Sequence, residues 1–240
     1  MILMRILIYG AGVIGSLYAA IFAEAGYDTS IYARGKRFEA LRNNGLLYKK
    51  NQEVIKAEIR ILGELPNDDI YDFVLLTVRE NQLYEALIEL KNNKSNTIVT
   101  MINSLDSYNK WEDIVGKGRI LPAFPGAGGS INDDGILDAA LTPRLIQPTT
   151  FAEISGNKSE RTKQFSEILR HVHIPWLMNT FEMPLANICG HGDVQVPTRD
   201  VVIKCCKKAG LKVEKFEIRK GMRMHCVVRK PMGKAIGNER

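Results

Sequence analysis

The sequence predicts an α/β fold built on a mostly parallel sheet. Two observations carry the prediction. Short apolar runs alternate with helical patterns over residues 5–123, and the first run leads into a glycine-spaced turn that opens the first helix. Residues 5–9 read as a buried strand, because Ile and Leu follow one another without polar alternation. Residues 14–25 carry helical spacing and stop at Gly26. A second strand covers 29–33, and a short helix covers 36–43, stopped by Asn44-Gly45. Residues 46–62 are mostly β-like, with alternation over 52–61. Strands follow at 72–78, 97–101 and 120–123, interleaved with helices at 81–90 and 111–115. The β pattern returns over 147–154, then a helix over 160–171 with Phe165, Ile168 and Leu169 apolar, then a short strand over 174–178. Beyond it, 198–209 looks helical and stops at Gly210, and 211–218 alternates like a strand.

The glycine turn is Gly10-Ala11-Gly12-Val13-Ile14-Gly15, a GxGxxG run. Alone, such a run is also compatible with a mere tight turn. Here a buried strand precedes it, a helix follows, and a second strand comes at the right distance. Gly10 permits the turn, Gly12 lets a pyrophosphate approach the backbone, and Gly15 lets the helix pack close to the strand. The helix N-terminus then presents unpaired N–H groups and a partial positive charge to the phosphates. These features predict a Rossmann-type domain over 1–179 and leave 180–240 as a separate C-terminal stretch.

The end of the second strand points to NADP. An NAD site places Asp or Glu there to hold the ribose 2′-hydroxyl. No acid occurs between Thr29 and Phe38, where Arg34, Lys36 and Arg37 stand instead. A guanidinium pairs with a 2′-phosphate that a carboxylate would repel. Arg34 is the main candidate, with Lys36 or Arg37 assisting; a solvated basic turn is the alternative.

The bulk properties suit a protein with a real core. The chain has 240 residues, 45% hydrophobic and 25% charged. No apolar run reaches the roughly 18 residues of a membrane span, and the start lacks a signal-peptide pattern. Adjacent Cys205-Cys206 makes a poor disulfide framework, so Cys189, Cys205, Cys206 and Cys226 read as reduced thiols of a cytoplasmic protein. Cys189 with His191, or His171 with His173, would be the start of a metal site, yet nothing completes a tetrahedral set, and no metal is expected. Residues 204–240 carry twelve Lys and Arg against three Asp and Glu, within a net charge of +6. That basic stretch holds Phe216 as its sole aromatic and no nucleic-acid motif, so a solvated face is expected rather than a nucleic-acid surface.

Ile8-Tyr9-Gly10-Ala11-Gly12-Val13-Ile14-Gly15-Ser16, followed by Ala33-Arg34-Gly35, resembles the ketopantoate reductases. Three later segments strengthen the resemblance. Thr77-Val78-Arg79-Glu80-Asn81-Gln82 resembles the family's strand-end segment, where a Lys often occupies the position of Arg79. Met101-Ile102-Asn103-Ser104 resembles the segment whose Asn contacts cofactor near the nicotinamide. Phe124-Pro125-Gly126-Ala127-Gly128-Gly129 resembles a Gly-rich variant of the loop lining the nicotinamide pocket. The resemblance covers residues 4–180. It implies NADPH-dependent reduction of a 2-keto acid such as 2-dehydropantoate, with Arg79, Asn103 and Ala127 at the cofactor. Asn103 also follows a strand, at the edge where α/β ligands bind, and its amide could orient a substrate carbonyl.

The resemblance weakens beyond residue 178. The family's second domain is helical, so the resemblance implies a short, mainly helical C-terminal domain over 180–240; in the family that domain opens with a helix carrying a lysine that donates a proton to the keto oxygen. No lysine occurs between Lys163 and Lys204. One alignment sets Trp176-Leu177-Met178 on the family's Trp-Leu-Lys, which puts a methionine where the donor belongs. Pro184-Leu185-Ala186-Asn187 resembles the end of a later stretch, with Asn187 off register, and Glu214 and Glu217 are candidates for an acidic residue by composition alone. Lys204, Lys207, Lys208 or His191, the last in a glycine-flanked loop, could supply a proton instead. The first expectation is therefore a reductase; the alternative is an NADP-binding relative without catalysis, acting as sensor or partner. A homodimer is also admitted, because a shortened second domain would leave apolar surface on the first.

Overall fold

The computed structural model describes residues 4–102, 104, 106–179, 203, 212–219 and 223–229. The chain divides into two compact units, Met1–Met183 and Pro184–Arg240. In the first, the apolar runs become a central sheet. Its strands are β1 (Arg5–Tyr9), β2 (Asp28–Tyr32), β5 (Arg60–Leu62), β6 (Phe73–Leu76), β7 (Ile98–Met101), β8 (Ile120–Phe124), β11 (Thr149–Phe151) and β12 (Trp176–Met178). They stand in the order β12-β11-β8-β7-β6-β1-β2-β5. Every pairing from β5 across to β8 is parallel; β11 joins β8 antiparallel and β12 continues parallel to β11.

The strands lack polar alternation because both faces of the sheet are covered. Ile6 and Ile8 face a core shared with α1 (Val13–Glu24) and α5 (Glu160–His171). Leu7 and Tyr9 face the opposite core, shared with α3 (Leu83–Asn92) and α4 (Tyr108–Val115). The helix ends match their local signals. Gly26 takes φ 81° after α1, and the Ser159 side chain accepts the backbone N–H of Thr162 at the start of α5 while the Thr162 hydroxyl caps Ser159. Gly45, with φ 80°, ends α2 (Gly35–Asn44).

A second, four-stranded sheet lies on α1, in the order β4-β3-β10-β9. Its members are β3 (Leu46–Lys50), β4 (Glu53–Ala57), β9 (Ala127–Ile131) and β10 (Leu137–Leu141). The β-like reading of 46–62 thus resolves into three strands, with β3 and β4 joined through Asn51 and Gln52 at φ 49° and 69°, both left-handed as a tight hairpin requires. The pair β9–β10 is not visible in the sequence pattern. Ala127-Gly128-Gly129 offers almost no side chain to alternate, so the strand is defined by its partner alone.

In the second unit, β13 (Lys212–Arg219) and β14 (Arg223–Arg229) pair antiparallel. β13 coincides with the strand expected over 211–218; the helix expected over 198–209 lies outside the described residues, Ile203 apart. Among the described residues no helix is long and apolar enough to cross a membrane.

One side chain ties the α3–α4 face together. Half-buried Arg119 donates to the carbonyls of Val115 (2.6 Å), Ser95 (2.6 Å), Asn93 (2.7 Å) and Leu90 (3.2 Å), satisfying groups left over at the C-terminal ends of α3 and α4. Arg119→Ala strands these acceptors. We expect it to lower stability by about 2–4 kcal/mol, read from the midpoint of denaturant unfolding. A loss under about 0.5 kcal/mol would show that water replaces the guanidinium freely.

A candidate dinucleotide cleft at the carboxyl edge of the sheet

β1, β2 and β6 run parallel, so their carboxyl ends share one edge. The strand order reverses at β1, between β2 on one side and β6 on the other, the position where open α/β sheets leave a crevice. A cleft of about 370 Å³ opens there. It is lined by the glycine turn (Gly10, Ala11, Gly12), the end of β2 (Tyr32, Ala33, Arg34, with Arg37 beyond), and the segment after β6 (Thr77, Val78, Arg79, Gln82), with Tyr9 and Ile131 completing it.

The three glycines are distinguished by what a side chain would meet. Gly10 has φ 114°, a left-handed value that favours glycine, and its N–H donates to the Tyr32 carbonyl at 3.1 Å. A Cβ on Gly15 would collide with the Gly10 carbonyl oxygen and approach Thr77 Oγ1 to 2.5 Å, so this position fixes how closely α1 meets β1 and β6. A Cβ on Gly12 meets nothing within 4 Å. Gly12 is the N-cap of α1, with no side-chain cap and no acid in the first turn. The helix therefore turns an uncapped, positive end to the cleft, and a phosphate-bearing ligand fits it. Thr77 stabilises the turn from behind by donating its hydroxyl to the Gly10 carbonyl at 2.8 Å.

The cations of the β2 end separate into different roles. Arg34 Nη1 donates to Glu85 on α3 at 2.6 Å, with both side chains substantially exposed. Arg37 turns inward: Nε donates to the Ala11 carbonyl at 3.0 Å and Nη2 to Ser16 Oγ at 3.3 Å. Arg37 thus braces the glycine turn against α2, and burial holds its pKa below the usual arginine value. Lys36 is exposed on the first turn of α2, outside the cleft lining.

Two tyrosines that sequence reasoning missed form the wall beneath Arg34. The Tyr9 and Tyr32 rings lie 4.6 Å apart, and both hydroxyls donate to Glu89 on α3, Tyr32 at 2.7 Å. Burial first, and then the bond to Glu89, hold both phenols above the usual tyrosine range. Each tyrosine ends its strand, which could have flagged it; Glu85 and Glu89 lie more than fifty residues from Arg34 and Tyr32, and no local pattern announces them.

The structure brings Gly10, Ala11, Gly12, Arg34 and Arg79 to one cleft. Val13, Ile14 and Gly15 form the first turn of α1 behind it. Ala127 begins β9 and is outside the cleft lining; the loop expected at 124–129 is in part a strand, because the second sheet recruits it. Asn103, His191, Asn187, Lys204, Lys207 and Lys208 lie outside the described residues, as does Cys189. Met178 ends β12, half-buried against the core. His171 Nδ1 faces the Tyr27 hydroxyl at 3.0 Å, and among the described residues no cluster of His, Cys, Asp or Glu could hold a metal ion.

The family model described as ketopantoate reductase PanE/ApbA matches residues 6–143. A 2-dehydropantoate 2-reductase of Mesorhizobium japonicum is 35% identical over 105 residues, which are 42% of this chain and 32% of that protein. One of Pyrococcus horikoshii is 27% identical over 139 residues, 56% of this chain and 44% of that protein. The chain thus matches less than half the length of either relative. Among solved structures, 2-dehydropantoate 2-reductase from Methylococcus capsulatus superposes with a TM-score of 0.62 at 17% identity, covering 76% of this chain and 59% of that one. D-mandelate dehydrogenase in a ternary structure with NADH and anilino(oxo)acetate gives 0.65 at 16% identity, covering 75% and 58%. These likenesses establish the fold.

Proposed function

The chain belongs to the ketopantoate reductase family, and from that premise we propose that it binds NADP(H) in the cleft and reduces the keto group of a 2-keto acid related to 2-dehydropantoate. One observation carries the cofactor half of the reading. The uncapped N-terminus of α1 and the Arg34 guanidinium line the same cleft, with no carboxylate at the end of β2. The helix end would receive the pyrophosphate, Gly12 would leave room for it, and Arg34 would take the 2′-phosphate. Arg79, exposed after β6, offers a second cation for phosphate or a substrate carboxylate, and Asn103 would orient the substrate carbonyl. Bound there, the dihydronicotinamide would supply the hydride for the keto carbon. The protein must then deliver a proton to the keto oxygen.

That last requirement favours a second reading. Residues 164–203 contain no lysine, and Met178 has no proton to give. General acid catalysis contributes about 10²- to 10⁴-fold, so a chain without a substitute donor would bind NADPH and turn over little. The test is direct: follow NADPH binding by dihydronicotinamide fluorescence, and NADPH oxidation with ketopantoate at 340 nm. Binding with ketopantoate-dependent oxidation supports the reductase. Binding without oxidation supports the non-catalytic relative, and no binding at all would overturn both.

A further inference from the structure

We propose that Glu85 is a specificity-determining residue for the dinucleotide, lowering the preference of this cleft for a 2′-phosphate over a 2′-hydroxyl by competing for Arg34. The inference rests on the cofactor reading above and concerns a residue on a different element from the cofactor turn. α3 presents one face along the cleft: Gln82, just before it, is part of the lining, Glu85 accepts from Arg34, and Glu89 accepts from Tyr9 and Tyr32. Arg34 therefore stands in the field of the Glu85 carboxylate, in direct contact at 2.6 Å. Among the other basic groups of the β2 end, Arg37 is committed to the Ala11 carbonyl and Ser16, and Lys36 lies outside the lining.

The consequence follows from charge. A 2′-phosphate carries more than one negative charge near neutral pH, whereas a ribose hydroxyl carries none. To reach Arg34, the phosphate must share or displace Glu85 and then remain within a few ångströms of its carboxylate. A hydroxyl meets no such repulsion and could donate to that carboxylate. Two unit charges at this range in a solvated setting interact by an amount equivalent to about three- to tenfold in binding. The Arg34–Glu85 pair is exposed enough to break, so the effect is a graded penalty rather than a block.

The experiment uses the full chain and equilibrium titrations of NADPH and NADH in parallel, followed by dihydronicotinamide fluorescence at low and high salt. Glu85→Gln keeps the side-chain shape and removes the charge. It is expected to tighten NADPH about three- to tenfold and to leave NADH unchanged or slightly weaker, and the gain should shrink in high salt. Glu167→Gln, an equal change in net charge on the exposed side of α5, should move neither. NADPH binding by Glu85→Gln that matches or falls below the unaltered chain overturns the role of Glu85 while leaving the cofactor reading intact. Failure of the unaltered chain to bind either dinucleotide overturns both.

Discussion

Arg34→Met should weaken NADPH binding by about 10- to 100-fold and leave NADH within about twofold. Charge-assisted hydrogen bonds from a guanidinium to a phosphate are worth roughly 1.5–3 kcal/mol, and methionine keeps the stem while removing every donor. The substitution also leaves Glu85 without its cation, so the carboxylate that Arg34 holds at 2.6 Å then faces the phosphate alone. The preference for NADPH over NADH should therefore collapse or invert. Adding Glu85→Gln to Arg34→Met should recover part of the loss, and the size of that recovery measures the coupling between the two residues. Equal weakening of both dinucleotides would mean that Arg34 supports the shape of the cleft and does not read the 2′ position.

Gly15→Ala and Gly12→Ala should separate folding from binding at one turn. At Gly15 the added methyl meets the Gly10 carbonyl oxygen, Thr77 Oγ1 at 2.5 Å and Ile8 Cγ2 at 3.0 Å, and two of these three belong to the backbone turn and a central strand. α1 would have to back away from the sheet. A cost of about 3 kcal/mol is expected, the upper end for overpacking, which lowers Tm by about 6–12 °C. At Gly12 the methyl meets nothing within 4 Å and φ is −75°, so alanine is tolerated by the backbone. Gly12→Ala should keep Tm within about 4 °C and lose NADPH affinity about tenfold or more, because the methyl occupies the face where the pyrophosphate would approach. Calorimetry and a binding titration read the two outcomes independently. Full-strength NADPH binding by Gly12→Ala would move the phosphates away from α1.

What was legible in the sequence was local. β1, β6, β7 and β8 announce themselves because a strand covered on both faces is apolar at nearly every position, and that leaves a run readable without knowing its neighbours. The glycine turn is legible locally too, through the left-handed φ of Gly10 and the approach of Gly15 to the Gly10 carbonyl and Ile8, although Thr77 after β6 tightens both positions from a distance. From this the sequence by itself determined an α/β sheet, a glycine turn opening the first helix and a basic β2 end. It could not determine what each cation does. Arg34 and Arg37 are three residues apart in one basic cluster, yet one donates to Glu85 on α3 and the other is spent on the Ala11 carbonyl. That division depends on where α3 and the turn arrive after folding. The same holds for β9, a strand with almost no side chains that exists because β10 pairs with it, and for Glu89, which gathers two tyrosine hydroxyls from distant strands. Hydrophobic burial writes itself into short stretches of chain. Electrostatic partnership does not, because a charge is defined by its neighbours in space, and only the tertiary structure decides who they are.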